Sequence, residues 1–192
     1  MRTPALLALI VVATPALAFD EKKVSNPAAL SGVERVFVAP VALDLPAATG
    51  RFERRHGGIR PVLPRDAEAR AEALTADLKR GFRRDFELAD GPGPGVLVIE
   101  PTLTRLEASR PTMADFQQEP GLGFESTFAG GASVTLRLLR DGEEVAVLKD
   151  RYAGNFSDGQ PRIGIWQDAD RAFSRWSRTV PAFVAQPQTA GR

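Results

Sequence analysis

The chain has 192 residues, no cysteine, and 25 basic against 24 acidic side chains, which gives a formal net charge of +1 at pH 7. Such a balance provides no long-range attraction toward nucleic acid or an anionic membrane, so we expect no nucleic-acid partner. The absence of cysteine excludes disulfides, thiolate metal ligands and a cysteine nucleophile, and it leaves no residue to carry a lipid anchor.

Residues 1–18 have the layout of a secretory signal peptide. Arg2 precedes the apolar run Ala5–Ala13, and the small-residue pattern Ala16-Leu-Ala follows. The run is shorter than the roughly 20 apolar residues of a membrane-spanning helix. We expect cleavage near Ala18 and a periplasmic or secreted protein, with an uncleaved anchor as the alternative. Cleavage removes one base, so Lys+Arg falls from 25 to 24 and balances the 24 acids.

The remaining chain is predicted to be one α+β domain at residues 32–185, between an extended lead-in at 19–31 and a disordered tail at 186–192. A domain near 150 residues buries about 70% of its unfolded surface and can fold without disulfides. The first strand is predicted over Val33–Val41. Its apolar residues fall on both faces, which indicates a central strand covered on both sides.

An amphipathic helix is predicted after a loop at residues 45–65 that is rich in Pro and Gly. Loops of this length are usually functional or mobile. Asp66 is the predicted N-cap, and Gly81 indicates a close approach between the helix and a strand. The loop at 90–95 ends the helix. The apolar residues at helical spacing are Ala67, Ala71, Leu74, Leu78, Phe82 and Phe86.

A second strand is predicted over Val96–Leu106. Pro101 lies within it and cannot donate to a sheet, so the strand has an edge or a bulge there, or two short strands meet. Residues 108–131 are predicted to be irregular, and a hairpin follows over Ala132–Tyr152 with the turn Asp141-Gly142, a pair typical of type I′ turns. Counting from the turn gives the expected register, which pairs Arg140 with Glu143, Leu138 with Val145 and Leu136 with Val147.

The last predicted element is a helix that begins at Asp168 as N-cap. Ala169, Ala172, Phe173, Trp176 and Val180 form its apolar stripe. Phe173 and Trp176 are therefore predicted to be core residues, rather than an aromatic binding platform. Pro181 either ends this helix or kinks it.

The order strand, helix, strand, hairpin, helix predicts an α+β fold. The first strand–helix–strand unit is expected to place its two strands in parallel, and the antiparallel hairpin then extends the same mixed sheet. The two amphipathic helices are expected to pack on one face of that sheet.

Several of these segments carry a resemblance to a known family. They are Arg35–Val41, the helix with Leu74, Leu78 and Phe82, the turn Asp90–Gly95 with the strand segments Val96–Ile99 and Thr102–Leu106, the hairpin from Gly131, and the terminal helix Trp166–Trp176. Together they resemble the domain of unknown function 3313, a family of small exported bacterial envelope proteins that are often lipoproteins. The sequence departs from the lipoprotein members because it lacks the lipid-carrying cysteine. The resemblance implies no reaction and transfers no functional residues.

One basic cluster is the candidate binding site. Arg51, Arg54, Arg55, His56 and Arg60 lie close together in the predicted loop, where arginine forks suit a phosphate, a carboxylate or an anionic glycan. The alternative interpretation is a solvated loop, partly neutralised by a glutamate within it.

No catalytic motif accompanies this cluster. The single histidine has no Gly-x-Ser-x-Gly elbow with it, and one histidine without cysteine does not make a metal site, so we predict no catalytic residue, no metal and no cofactor. The expected function is non-catalytic: a binding or structural component of the cell envelope that recognises an envelope protein or polymer, in an oligomeric state that the sequence leaves open. The alternative is a small hydrolase that acts on envelope glycans through loop carboxylates. The candidate acids are Glu100, Asp115, Glu119 and Glu125.

The anion interpretation of the loop makes a prediction. Arg54→Ala combined with Arg55→Ala is expected to weaken retention on a phosphate or polyanion resin, because two guanidinium forks are removed. The measurement is the salt concentration at elution, compared with the unsubstituted protein. Unchanged elution would favour the solvated-loop interpretation.

Overall fold

The computed structural model describes residues 19–50, 58–155, 157 and 163–186. The predicted signal peptide and residues 187–192 of the predicted tail lie outside this range. The described strands are β1 (Glu21–Val24), β2 (Arg35–Val38), β3 (Ala42–Leu43), β4 (Glu87–Leu88), β5 (Leu97–Glu107), β6 (Gly131–Arg140) and β7 (Glu143–Ala153). The described α-helices are α1 (Pro64–Phe82), α2 (Met113–Gln118) and α3 (Gln167–Ala185), and a short 3-10 helix spans Ala28–Leu30.

The seven strands form one mixed sheet in the order β1-β7-β6-β5-β2-β4, with β3 beside β5. As predicted, the strands that precede and follow α1 in the sequence, β2 and β5, are parallel neighbours in the sheet. The β6–β7 hairpin extends the sheet in antiparallel fashion. The α+β fold class is thus confirmed. The predicted lead-in contributes β1, which pairs antiparallel with β7 at the sheet edge.

Helices α1 and α3 contact each other and the same layer of strands. Burial alternates along the central strands: in β2, Val36 and Val38 are buried under the helices, whereas Phe37 between them is only half-buried. The same alternation runs along β5 and β6. The expectation that both faces of the first strand are covered is therefore wrong, because its second face carries neither α1 nor α3. We call this second side the open face.

Pro101 lies inside β5, which is one continuous strand. The amide of Ala39 donates to the Ile99 carbonyl (2.9 Å), and the amide of Asp44 donates to the Leu103 carbonyl (3.0 Å). Because backbone groups two residues apart point to the same side of a strand, the Pro101 nitrogen faces the interval between β2 and β3. The strand beside β5 is thus interrupted, between β2 and β3, at the position where Pro101 has no N–H group to donate. The register shift of β5 comes later, between Leu103 and Arg105.

The hairpin turn is confirmed. Asp141 and Gly142 both have positive φ, 52° and 84°, as a type I′ turn requires, and Arg140 lies opposite Glu143 as predicted.

The predicted register beyond this pair is wrong by one residue. Leu138 lies opposite Ala146 and Leu136 opposite Leu148, because a bulge adds one residue at Val145. The Val145 carbonyl accepts hydrogen bonds from the amides of Ser25 and Asn26, at 3.0 and 3.2 Å. A segment more than a hundred residues away thus supplies hydrogen bonds to the bulge. Counting residues from the turn therefore cannot predict this bulge.

The predicted N-caps of both long helices are corrected. Helix α1 begins at Pro64, with Leu63 as N-cap, because proline suits the first helical position; Asp66 instead lies in the first turn. Helix α3 begins after Trp166, and Asp168 lies inside its first turn, fully buried. There its carboxylate accepts a hydrogen bond from Ser109 Oγ (3.0 Å), in the predicted irregular segment.

Helix ends also differ from the predictions. Helix α1 ends at Phe82, and Phe86 lies beyond it, where its ring packs against Phe82 with centroids 5.6 Å apart. Pro181 does not end α3, which continues to Ala185. The segment predicted to be irregular contains α2, whose capping box joins Thr112 and Asp115.

A buried carboxylate joins α3 to the sheet. Trp176 and Phe173 are fully buried, which confirms their core assignment, and Trp176 Nε1 donates to Asp150 Oδ2 of β7 at 2.6 Å. Arg175 Nη2 lies 3.4 Å from the other carboxylate oxygen. Burial raises the pKa of Asp150, although the bond from Trp176 and the charge of Arg175 oppose that shift.

Gly81 marks a close approach between α1 and α3, not between a helix and a strand as predicted. A Cβ at this position would overlap the Ser177 carbonyl oxygen of α3. The two helices can therefore approach this closely only because residue 81 has no side chain.

We expect Gly81→Ala to destabilise the protein. Helix propensity alone favours Ala by about 1 kcal/mol, but overpacking against a rigid backbone costs about 1–3 kcal/mol. Urea unfolding measures the difference. Gly91→Ala is the matched control, since no atom lies within 4 Å of its added Cβ, and it is expected to change stability by at most about 0.5 kcal/mol. Equal stabilities for both variants would contradict the helix contact.

Asp150→Asn is expected to flatten the dependence of stability on acidic pH. Because the folded state raises the pKa of Asp150, the folded chain keeps this proton to higher pH than the unfolded chain does. Its contribution to stability is complete below the unfolded pKa and is lost as pH rises through the folded pKa. Asparagine keeps an acceptor for Trp176 and removes the titration. Urea unfolding at a series of pH values gives the slope, and a wild-type slope in the variant would refute the raised pKa.

Candidate functional site

The open face carries an apolar groove of about 650 Å³. We call it the open-face groove. Its lining residues are Phe37, Ala39, Pro92, Gly93, Pro94, Val96, Val98, Glu100, Leu139, Asp141 and Gly142. A volume of this size lies within the range of small-molecule and peptide-anchor sites.

The floor of the groove is set by sheet register. Phe37 lies opposite Val98, and Val98 lies opposite Leu139, so the three side chains form a row across β2, β5 and β6. The loop before β5 forms the wall. The amide of Gly95 donates to Asp141 Oδ1 (2.9 Å), which ties this loop to the hairpin turn.

Among the residues that the structure describes, carboxylates outnumber bases at the groove. Arg137 donates from Nε to Glu144 Oε2 (2.7 Å) and from Nη1 to Glu100 Oε2 (3.0 Å), so two acids share one guanidinium. The hydrogen bond to Glu144 and the charge of Glu100 raise the pKa of Arg137 above its usual value. Asp141 adds a further negative charge. The groove is thus apolar on its floor and acidic at its rim.

Four residues of the predicted basic cluster, Arg51, Arg54, Arg55 and His56, lie outside the described residues, so the anion interpretation stays a prediction. The fifth, Arg60, has a partner. Its Nη1 donates to Asp115 Oδ1 at 2.7 Å, and its Cζ lies 3.2 Å from the centroid of the Phe128 ring. A buried carboxylate and an aromatic face therefore hold this guanidinium in place.

Arg60 also lines a small cavity of about 220 Å³ beside Arg105. The Arg105 Nη2 atom lies 2.7 Å from Glu107, so each of the two guanidiniums has a carboxylate partner. The Nε atom of Arg105 is buried without a hydrogen-bond partner. The cavity is small and its charges are balanced.

The four acids named for a hydrolase do not line one groove. Glu100 lines the open-face groove, whereas Asp115 is buried in its capping box with Arg60. Glu125 is exposed and lies 4.0 Å from Arg110, and the Glu119 amide donates to the Asp115 carbonyl. Within the described part of the chain, no group of three side chains could hold a metal ion.

A second groove, of about 500 Å³, runs along α3 on the helical side of the sheet. We call it the helix groove. Its lining residues are Tyr152, Gln167, Asp170, Arg171, Ser174, Arg175 and Arg178. The sequence reasoning did not single out these arginines, although their spacing of four and three residues on a helix places them along one side.

Exposed apolar side chains occur outside both grooves. The large ones among the described residues are Leu43, Met113, Phe124, Ile163 and Ile165. Phe124 packs partly against Phe116 of α2, with ring centroids 4.5 Å apart. No helix in the described ranges has the length and apolar character needed to cross a membrane.

Comparison with solved structures finds low similarity to two proteins. PelC from Paraburkholderia phytofirmans, which forms a dodecamer, is similar in two crystal forms: one is 13% identical with a TM-score of 0.44, covering 84% of this chain and 95% of PelC. The other is 14% identical with a TM-score of 0.39, covering 88% and 98%. A putative neuraminyllactose-binding hemagglutinin homologue from Helicobacter pylori is 8% identical with a TM-score of 0.30, covering 80% and 81%. Likeness at this level carries no information on function.

No curated protein matches the sequence. A family profile does match it: DUF3313, described as a protein of unknown function, aligns with residues 25–180. That range includes β2 to β7, both grooves and most of α3. It therefore covers most of the described fold and agrees with the resemblance drawn from the sequence. The chain belongs to the DUF3313 family.

Proposed function

We propose that this protein is an exported, non-catalytic binding component of the bacterial cell envelope. Its open-face groove binds an apolar, positively charged segment of another envelope protein. The observation that carries the proposal is the row of Phe37, Val98 and Leu139 on a sheet face that the long helices leave bare.

Apolar burial provides the driving force. A soluble protein normally keeps the uncovered face of an antiparallel or mixed sheet polar, and farther along the open face Thr102 lies opposite Thr135. The apolar row departs from that rule. Covering such a concave apolar surface contributes about 25 cal/mol for each Å² removed from water.

Charge selects the kind of segment. At the rim, Glu100 and Glu144 both bind one base, Arg137, and Asp141 adds a third carboxylate to the lining. A ligand with a basic side chain gains attraction at this rim, whereas an acidic ligand is repelled, so the groove favours apolar segments that carry Lys or Arg.

The acids of the groove support binding rather than hydrolysis. A glycosidase needs two carboxyl groups on opposite sides of the scissile bond, one of them available as a proton donor. Glu100 instead accepts a hydrogen bond from Arg137 Nη1 at 3.0 Å, so its carboxylate is already paired with a base. Among the described residues, burial raises the pKa of two acids, Asp150 and Asp170, which accept hydrogen bonds from Trp176 and Arg70 and do not line this groove.

Export rests on the sequence of residues 1–18. The predicted cleavage position near Ala18 is followed almost at once by β1, so the mature chain would enter the sheet within three residues. The periplasm or the cell exterior is the compartment we propose.

Site-specific photocrosslinking tests the proposal. Phe37 is replaced by the photoreactive analogue p-benzoylphenylalanine in the source bacterium, and adducts in the envelope fraction are identified by mass spectrometry. We expect one adduct with an envelope protein, through an apolar segment containing Lys or Arg, and an intact mass for the unlinked protein that begins at Phe19. A synthetic peptide of the crosslinked segment then gives the dissociation constant.

Leu139→Lys is expected to weaken binding of that peptide at least about tenfold, since it places an ammonium group among apolar side chains and against a cationic ligand. Ile163→Lys makes a comparable change at an exposed position outside the groove and is expected to bind like the wild type. No adduct at position 37, or equal binding by both variants, would overturn the groove assignment. Release of reducing sugar from envelope glycan, lost in Glu100→Gln, would favour the hydrolase instead.

A further inference from the structure

We propose that the helix groove is a binding site for a carboxylate-bearing glycan, through Arg171, Arg175 and Arg178. The groove lies along α3 and is lined by Tyr152 of β7, whereas the open-face groove lies on the other side of the sheet. The two sites share no lining residue, so either can fail without the other.

Two of the three arginines are held in place by buried acids. Arg171 Nη1 lies 3.0 Å from Asp168 Oδ1, and Arg175 Nη2 lies 3.4 Å from Asp150 Oδ1. The side chains of these acids are 0% and 1% exposed, whereas those of the arginines are 25% and 36% exposed. Each guanidinium thus turns one edge to a rigid internal partner and keeps part of its surface at the groove. Preorganised forks lose less entropy when they bind a second anion.

Arg178 extends the row. It is exposed and forms no ion pair with any residue that the structure describes. At a rise of about 1.5 Å per residue, the backbone positions of Arg171 and Arg178 are about 10 Å apart along the helix axis. A row of this length suits a ligand with successive anionic groups better than one small ion.

The remaining lining residues suit a polyhydroxylated ligand. Tyr152 offers an aromatic ring with a hydroxyl group, and Ser174 adds a second hydroxyl, whereas the Gln167 side-chain oxygen accepts hydrogen bonds from the amides of Ile163 and Gly164. The one acid in the lining, Asp170, is bound by Arg70 at 3.0 Å, which offsets its repulsion of an anion. Planar carboxylates match guanidinium forks bidentately. An anionic glycan carries carboxylates for the guanidiniums and a hydroxyl-rich ring for the other groups, whereas inorganic phosphate is too small to reach both sets.

Titration calorimetry with defined probes tests this inference. Oligogalacturonate is the probe, and its methyl ester, polyaspartate and inorganic phosphate are the comparison ligands. We expect oligogalacturonate to bind, more weakly as salt is added, and the methyl ester to bind at least about tenfold more weakly because its carboxylates are neutral. Polyaspartate and phosphate are expected to bind more weakly than oligogalacturonate. Equal binding of polyaspartate would overturn the glycan assignment, and equal binding of the ester would overturn the role of the arginines.

Arg178→Gln is the variant of choice, because Arg178 supports no buried acid and its loss leaves the fold intact. Loss of one charge-assisted contact is expected to raise the dissociation constant about tenfold. Arg84→Gln, at an exposed arginine beyond the end of α1, is the matched control and is expected to bind like the wild type. Thermal melts check that both variants are folded. Absence of oligogalacturonate binding to the wild type, or equal affinities for both variants, would refute the site.

Discussion

The arrangement of the helical layer depends on one buried carboxylate. Asp150 points from β7 into the interior, where an unpaired charge would be costly, so its oxygens must find donors. Trp176 supplies an N–H bond at 2.6 Å and Arg175 a nearby guanidinium. Both donors belong to α3, and together they fix the rotation of that helix about its own axis. The same rotation brings Ser177 against Gly81, which seats α1 beside α3.

This arrangement gives the sheet two different sides. The helices cover one side and leave the other bare, with an apolar row between Phe37 and Leu139. Among the described side chains around that row the acids outnumber the bases, whereas the outer surface of α3 presents a row of arginines. The near-zero net charge of the whole chain gives no sign that acidic and basic side chains are concentrated on different surfaces. A protein without net charge can still present one acidic surface and one basic surface to different ligands.

The sequence predicts those features that depend on residues close together in the chain. The Asp141-Gly142 turn, the parallel strand unit and the burial of Trp176 follow from turn preference and apolar spacing, and all three are present. The features that sequence missed depend on distant partners: the bulge at Val145 needs the chain near Ser25, and the buried Asp168 needs Ser109. The candidate sites were harder still. Strand register, which no short motif encodes, assembles the open-face groove, and a buried acid on a distant strand, Asp150, holds Arg175 of α3.

The start of the sheet lies very near the proposed cleavage position. Phe19 packs against Phe183, and Asp20 accepts a hydrogen bond from the Arg151 amide at 2.8 Å, so the chain is already docked before β1 begins. A signal peptidase needs an extended, accessible segment around Ala18, and docking of residues 19–24 would withdraw part of it. If the proposed cleavage near Ala18 takes place, it has to come before the edge of the sheet closes. A chain that kept its first 18 residues in a bilayer would hold β1 within about 10 Å of the lipid surface, at about 3.5 Å per residue. Under the proposed export, the timing of that one cut would decide whether the folded protein is released or stays at the membrane.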